Sequence, residues 1–357
     1  MNLKTTLILL VILVTKLQAQ PVYHNADQFT LIGKTSDDTE TRYERLPAHL
    51  KDLCRPPVWH LGKNTSGLAV RFRTNSTSIT AKWIVSNNNH MNHMTDTGTK
   101  GLDLYAWEDD QWQFVNAGLP SGKENERTII SNMSPNEREY MLFLPLYDGV
   151  DSLSIGIDST AFIKNPAILY PDTESPVIVY GTSITQGGCA TRPGMSYTNI
   201  LTRSLNREFI NLGFSGNGQL DYEIAELMAS KKNAAMFILD FIPNVNADQL
   251  KEKTRNFFDI IRINNPNTAI LFVETIIFPH SKFDTKTYEI IIEKNRLLKE
   301  EFERIKNEGD DNVYYLETNN LIGTDGEATV DGIHMTDLGF LRIANEIEKK
   351  IRPILTD

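Results

Sequence analysis

A serine placed to act as a nucleophile ends one apolar run of this chain: in VIVYGTSITQGG, Val177 to Gly188, the residues Val177 to Tyr180 lead straight into Gly181, Thr182 and Ser183. A short uninterrupted apolar run fits a strand buried on both faces, and the glycine fits a sharp turn at its end. Ser183 is then expected at the carboxyl edge of a parallel strand, where open α/β sheets gather their chemistry because the loops there surround a crevice. A nucleophilic serine needs a base, and the base needs a group that orients it. Asp331-Gly332-Ile333-His334 supplies both in the loop ahead of the last helical stretch. At that spacing Asp331 can accept from one ring nitrogen while the other faces Ser183. An oxyanion would need donors, and these have candidates too. Gly216, in NLGFSGNG, can turn a backbone N–H inward. Asn244, at the end of LDFIPN, can offer a side-chain amide, with Asn246 as the fallback, and the N–H of Ser183 itself is a third donor. Taken singly, each has a plain structural reading as a helix cap, a surface pair or a strand-to-helix turn. Their order is what points to two-step acyl transfer: serine after the first strand, glycine after the second, asparagine after the third, histidine before the last helix.

The elements that must position these residues are legible as alternation. From Val177 onward, strand-like runs at Val177 to Tyr180, Phe209 to Leu212, Met236 to Leu239, Ile270 to Val273 and Val313 to Leu316 alternate with helical periods at Tyr197 to Asn206, Leu220 to Ala229, Ala247 to Ile263, Tyr288 to Ile305 and Thr336 to Ile351. Strict alternation of this kind predicts a parallel sheet with helices on both faces. The stretch before Pro176 is different. Short strand-like pieces at Leu68 to Arg73, Ser78 to Val85, Leu102 to Trp107, Trp112 to Val115, Tyr140 to Leu144 and Leu153 to Ile157 are separated by turn-rich spacers, and Val58 to Leu61 is read as opening the series. This predicts an all-β sandwich over residues 20–170, ahead of a catalytic domain over 176–357. The tryptophans there, Trp59, Trp83, Trp107 and Trp112, are expected in the core more than on a sugar-stacking platform.

Composition bounds the partners. A net charge of −10 argues against nucleic acid or an anionic membrane surface. Lys4, the apolar run Leu7 to Val14 and Leu17-Gln18-Ala19 read as a signal peptide over residues 1–19, which predicts an exported protein, periplasmic or secreted. Nothing later is long and apolar enough to span a bilayer. Cys54 and Cys189 are too few for a disulfide framework, and two unpaired thiols are the simpler expectation. No zinc-ligand spacing or glycine-rich phosphate loop occurs, so no metal or cofactor is expected. Oligomeric state has no signature.

The set Ser183, Gly216, Asn244 and His334 resembles the SGNH (GDSL) hydrolase superfamily, and Gly101-Leu102-Asp103-Leu104-Tyr105 resembles the signature of the GxDLY β-sandwich domain that precedes such hydrolases in bacteria. The resemblance implies a flavodoxin-like catalytic domain and metal-independent ester hydrolysis, often of acyl groups on carbohydrates. Two departures stand out: GTS replaces the usual GDS, and PNVN stands where GxND is usual. Thr182 therefore becomes a candidate for altered substrate positioning. Arg192, in the loop after the nucleophile, and Glu274, at the end of the fourth strand, are further candidates for substrate contact. Polar, small-residue loops around the site favour a short acyl group, most simply O-acetyl on a glycan. A lipase or thioesterase on longer chains, or a glycan-binding protein without activity, are the alternatives.

Overall fold

The C-terminal half is carried by β1 (Asp172–Gly181), β2 (Arg207–Gly213), β3 (Met236–Asp240), β4 (Ala269–Val273) and β5 (Val313–Leu316) in a computed structural model that describes residues 20–318 and 321–356. All neighbours pair in parallel, in the order β2-β1-β3-β4-β5. This is the flavodoxin-like order, in which the chain reverses its direction of winding beside β1 and opens a crevice at the carboxyl end of that strand. The apolar run is continuous because both faces are covered, and Val177, Ile178, Val179 and Tyr180 are fully buried. Successive side chains serve opposite cores. Ile178 and Tyr180 pack under α3 (Tyr222–Ser230), α4 (Ala247–Asn264) and α5 (Thr285–Asn307), whereas Val177 and Val179 pack under α2 (Tyr197–Ser204) and α6 (Asp337–Thr356). A four-residue helix, α1 (Ser183–Gln186), follows β1 directly.

The N-terminal half forms two antiparallel sheets. One holds the strands Val22–Asn25, Val150–Ile157, Ile79–Val85 and Glu124–Ile130, and the other is built on Ala69–Thr74, Arg138–Phe143, Leu102–Glu108 and Gln111–Gly118. Their inner faces meet through Val70, Phe72, Trp83, Leu104, Tyr140, Leu142 and Ile155. Trp83 is buried and donates its indole N–H to the Lys100 carbonyl at 3.0 Å. Trp59 and Trp112 are buried as well, and Trp107 packs edge-on against Trp112, so these rings build core and do not line a sugar platform. Val58 to Leu61 is not a strand: Pro56 and Pro57 start a helix at Pro56–Gly62, since a proline at the first helical positions forfeits no hydrogen bond. The signal-peptide stretch, residues 1–19, lies outside the described residues.

The two halves are joined by buried polar contacts. The guanidinium of Arg45, 1% exposed, donates to the carbonyls of Leu61 and Asn64 in its own half and to those of Asn211 and Gly213 on β2, at 2.7 to 3.0 Å. Arg55 grips the Asp221 carboxylate with two nitrogens at 2.5 and 3.0 Å, just ahead of α3. Ser66 donates to the Gln186 carbonyl of α1 at 2.6 Å.

Candidate active site

Ser183 is the first residue of α1, and its placement begins with Gly181. A Cβ on Gly181 would lie 2.0 Å from the Thr185 hydroxyl and 2.6 Å from the Asp240 carbonyl, so only glycine lets β1 end this close to α1 and β3. Thr182 then caps the helix. Its hydroxyl accepts from the Ile184 N–H at 3.3 Å, and its own N–H donates to the Thr185 hydroxyl at 3.3 Å. The Ser183 carbonyl accepts from the N–H groups of Gly187 and Gly188 and from the Tyr147 hydroxyl, the last at 3.2 Å. The backbone of the nucleophile is thus held on both sides before its side chain is considered.

The side chain meets its partners in series. Ser183 Oγ lies 2.9 Å from His334 Nε2, and His334 Nδ1 lies 2.7 Å from Asp331 Oδ2. The other oxygen of Asp331 accepts the backbone N–H groups of Ile333 and His334 at 3.0 and 2.7 Å. Partial burial works to raise the Asp331 carboxyl, but the His334 ring and these two amides outweigh it and hold it at about 2. An ionised carboxylate there fixes the proton of neutral His334 on Nδ1 and leaves the Nε2 lone pair toward Ser183.

The loops after β2 and β3 close around the same edge. Phe214 donates its N–H to the Gly181 carbonyl at 3.0 Å and Ser215 donates to Gln186 Oε1 at 2.9 Å, so the turn carrying Gly216 is tied to α1. Gly216 has φ +68 with open space around its Cβ position, so conformation and not crowding calls for glycine. Asn244 Oδ1 accepts from the Gly218 N–H at 3.2 Å, which leaves its Nδ2 group as the donor available to the crevice. Asn246, the fallback, caps α4 in a reciprocal pair with Gln249, both bonds 2.9 Å.

Three expected substrate contacts are placed otherwise. Thr182 is fully buried and spends its hydroxyl on the helix cap, so the GTS variation alters the start of α1 and presents nothing to a substrate. Arg192 turns away toward the sandwich, where Nη1 donates to Asp103 Oδ2 and lies within hydrogen-bonding distance of the Tyr105 hydroxyl, both at 2.6 Å, with the guanidinium 3.9 Å from the Phe114 ring centre. Asp103 and Tyr105 belong to the GLDLY signature. A Cβ on Gly194 would lie 2.4 Å from each of them, so the signature is the socket that receives the 192–194 turn. Glu274 accepts from the Tyr315 hydroxyl at 2.7 Å and the Thr318 N–H at 3.1 Å, locking β4 to β5 at a distance of two strands from β1.

His93 is a neighbour that sequence reasoning missed. It lies on the loop before the GLDLY strand, and its ring centre is 5.6 Å from that of His334. The only signal was the pair of histidines in NNNHMNHM, hidden by their place in the β half. Tyr147 and Asp240 were missed as well. Asp240 ends β3, buried behind α1, and accepts from the hydroxyls of Thr185 and Tyr197, each at 2.9 Å. Cys54 and Cys189 are both free and buried, and burial pushes the Cys189 thiol up to about 12.

Burial also raises the carboxyls of Asp240, to about 6, and Glu208, to about 7, against the hydrogen bonds each accepts. Between the ordinary carboxyl range near pH 4 and those values, the folded protein holds protons that the unfolded chain has released. Stability therefore falls as pH rises through that window. Asp331 works in the opposite sense, but only below it. The melting temperature is expected to decline from about pH 4 to about pH 7, with a shallower decline in Asp240→Asn. Equal slopes in the two proteins would show that Asp240 is ionised throughout.

A flavodoxin-like sheet with serine, histidine and aspartate hydrogen-bonded in series at its carboxyl edge is the layout of a serine hydrolase. The chain belongs to the GDSL-like lipase/acylhydrolase family, whose model matches residues 174–352. A second model, described as the N-terminus of Esterase_SGNH_hydro-type, matches residues 21–163. Among solved structures, a GDSL-like lipase from Bacteroides ovatus ATCC 8483 is similar at 38% identity and TM-score 0.89, over 94% of this chain and 98% of that one. The salicylyl-acyltransferase SsfX3 of a tetracycline biosynthetic pathway follows at 17% identity and TM-score 0.70, over 91% and 94%. An acetyl xylan esterase, Est2A, from Butyrivibrio proteoclasticus is similar at 12% identity and TM-score 0.57, over 94% and 99%. These last two share the fold. No curated protein matches the chain.

Proposed function

We propose that this chain is an exported serine esterase that removes short acyl groups, chiefly acetyl, from carbohydrates. The observation that carries the reading is the series Asp331, His334, Ser183, linked at 2.7 and 2.9 Å at the end of β1. In this reading His334 takes the Ser183 proton at Nε2 as Oγ attacks the ester carbonyl. The N–H groups of Ser183 and Gly216 and the Nδ2 group of Asn244 receive the oxyanion, and His334 returns the proton to the departing alcohol. Water then releases the acyl group by the same path. Export rests on the charged and apolar pattern of residues 1–19.

Support for a carbohydrate comes from a cleft of about 840 Å³ beside the Asp331 to His334 loop, lined by Phe278, His280, Phe283, Tyr288, Thr318 and Gly332. Phe283, 86% exposed on the wall of this cleft, leaves a ring face free to stack on a ligand. Aromatic faces mixed with hydroxyl and imidazole groups suit a sugar ring, apolar on its faces and polar at its edge. The name of the acetyl xylan esterase adds a precedent for this chemistry on the same fold. The test is acetate release across a panel of acetylated glycans, with p-nitrophenyl acetate and octanoate compared in parallel. Preference for acetate is expected. Phe283→Ala is expected to raise KM for the glycan several-fold and leave p-nitrophenyl acetate turnover alone. Octanoate hydrolysed as fast as acetate would favour a lipase, and an unchanged glycan KM would remove the cleft from substrate binding.

A further inference from the structure

We propose that His93, Cys189 and His334 form an inhibitory site for a zinc-class divalent ion, assembled across the junction of the two halves and closing the esterase by occupying its base. One ring nitrogen from each histidine and the Cys189 sulfur all lie within 4.8 Å of one another. Around a tetrahedral zinc ion with nitrogen at ~2.0 Å and sulfur at ~2.3 Å, such atoms stand roughly 3.3 to 3.8 Å apart, so the three ligands must close by about 1 Å. Two nitrogens and a thiolate are the ligand set that borderline-soft ions such as zinc select.

The groups behind these ligands fit the assignment. Metal-bound histidines commonly donate their second ring N–H to an oxygen that fixes the tautomer. His334 has Nδ1 2.7 Å from Asp331 Oδ2, and His93 has Nδ1 2.8 Å from Asn92 Oδ1. In both rings the lone pair left for a metal is on Nε2. Cys189 is a buried non-glycine residue held at φ +73, a backbone conformation that non-glycine residues seldom adopt and that concentrates at functional positions. Binding balances simply: the Cys189 thiol proton passes to solvent as the sulfur–metal bond forms, and His334 Nε2 exchanges its hydrogen bond from Ser183 Oγ for the metal. Ser183 Oγ or a water fills the fourth position. Ser183 then has no acceptor for its proton. The inhibition rests on the esterase reading, whereas the binding does not.

The test uses the purified protein with the metal alone. Zinc chloride is expected to abolish p-nitrophenyl acetate hydrolysis reversibly, with recovery on chelation. Cobalt(II), as a visible surrogate, is expected to give a thiolate-to-metal charge-transfer band that Cys189→Ser lacks. Cys189→Ser and His93→Ala are each expected to keep metal-free turnover and to need about tenfold or more zinc for half inhibition. His93→Ala alters a half-buried loop residue and serves if the Cys189 variant fails to fold. Absence of the cobalt band, or unchanged zinc sensitivity in both variants, would overturn the site. If the protein hydrolyses no ester, the cobalt band still reads binding, so the two proposals fail separately.

Discussion

Ser183→Ala is expected to lower kcat/KM on p-nitrophenyl acetate by about 10⁴-fold or more, with the fold and melting temperature unchanged. The magnitude follows from what the alanine removes. The carbonyl of residue 183 keeps its three donors, Gly187, Gly188 and Tyr147, and α1 keeps its Thr182 cap, so the backbone that frames the crevice persists. The atom that forms the acyl-enzyme is lost, and His334 loses the group at 2.9 Å that it serves. The remaining rate would reflect oxyanion donors acting on attack by water, a residue of activity common to hydrolases stripped of a triad member. A variant retaining even a tenth of the wild-type rate would show that the chemistry lies elsewhere. A fluorophosphonate probe gives a second readout, since it should label the wild type and not the alanine variant.

Arg192→Ala should destabilise the protein by roughly 3 to 5 kcal/mol in a denaturant titration, the usual result of stripping one partner from a buried ion pair. The side chain of Asp103 is fully buried, and that of Arg192 is largely covered. One carboxylate oxygen takes both the Arg192 guanidinium and the Gly194 N–H, at 2.6 and 2.7 Å, and the other oxygen has no hydrogen-bond partner among the described residues. Removing the guanidinium leaves a carboxylate in the interior with the Gly194 amide and only the more distant charge of Arg203 to steady it. Arg192→Ala combined with Asp103→Asn should recover a large part of the loss, because the uncompensated charge is gone. A substrate-binding arginine would behave differently, raising KM with little change in stability. A loss below about 1 kcal/mol would place Arg192 among ordinary surface pairs.

Much of the architecture was legible because the physics acts over short stretches. A strand covered on both sides has to be apolar throughout, so Val177 to Tyr180 and its four counterparts announce themselves, and the spacing of Asp331 and His334 alone lets one orient the other. The same local reading fails where the partner is remote in sequence. Arg192 looked like a residue for substrate because Asp103 and Tyr105 are 89 and 87 positions away. Thr182 looked like a departure at the catalytic edge, but its hydroxyl points into a helix cap. Glu274 stands at the predicted strand end but meets Tyr315 on the neighbouring strand and Thr318 just beyond it. Val58 to Leu61 carries strand-favouring residues, yet two preceding prolines decide for helix. His93 escaped notice since nothing in a β-domain loop foretells the company of a base more than 200 residues later.

The buried guanidinium of Arg45 carries a lesson for anyone who would transplant this catalyst. Among the described residues no carboxylate pairs with its charge. It is shared among carbonyls of both halves, two of them on the strand that leads to Gly216. A chimera that exchanged the sandwich for a foreign module would orphan those carbonyls, along with the Arg192 turn that the GLDLY socket receives. The unit that can be moved, recombined or shuffled between proteins is therefore the pair, and a hydrolase half expressed alone should be sought only with its borrowed surface redesigned.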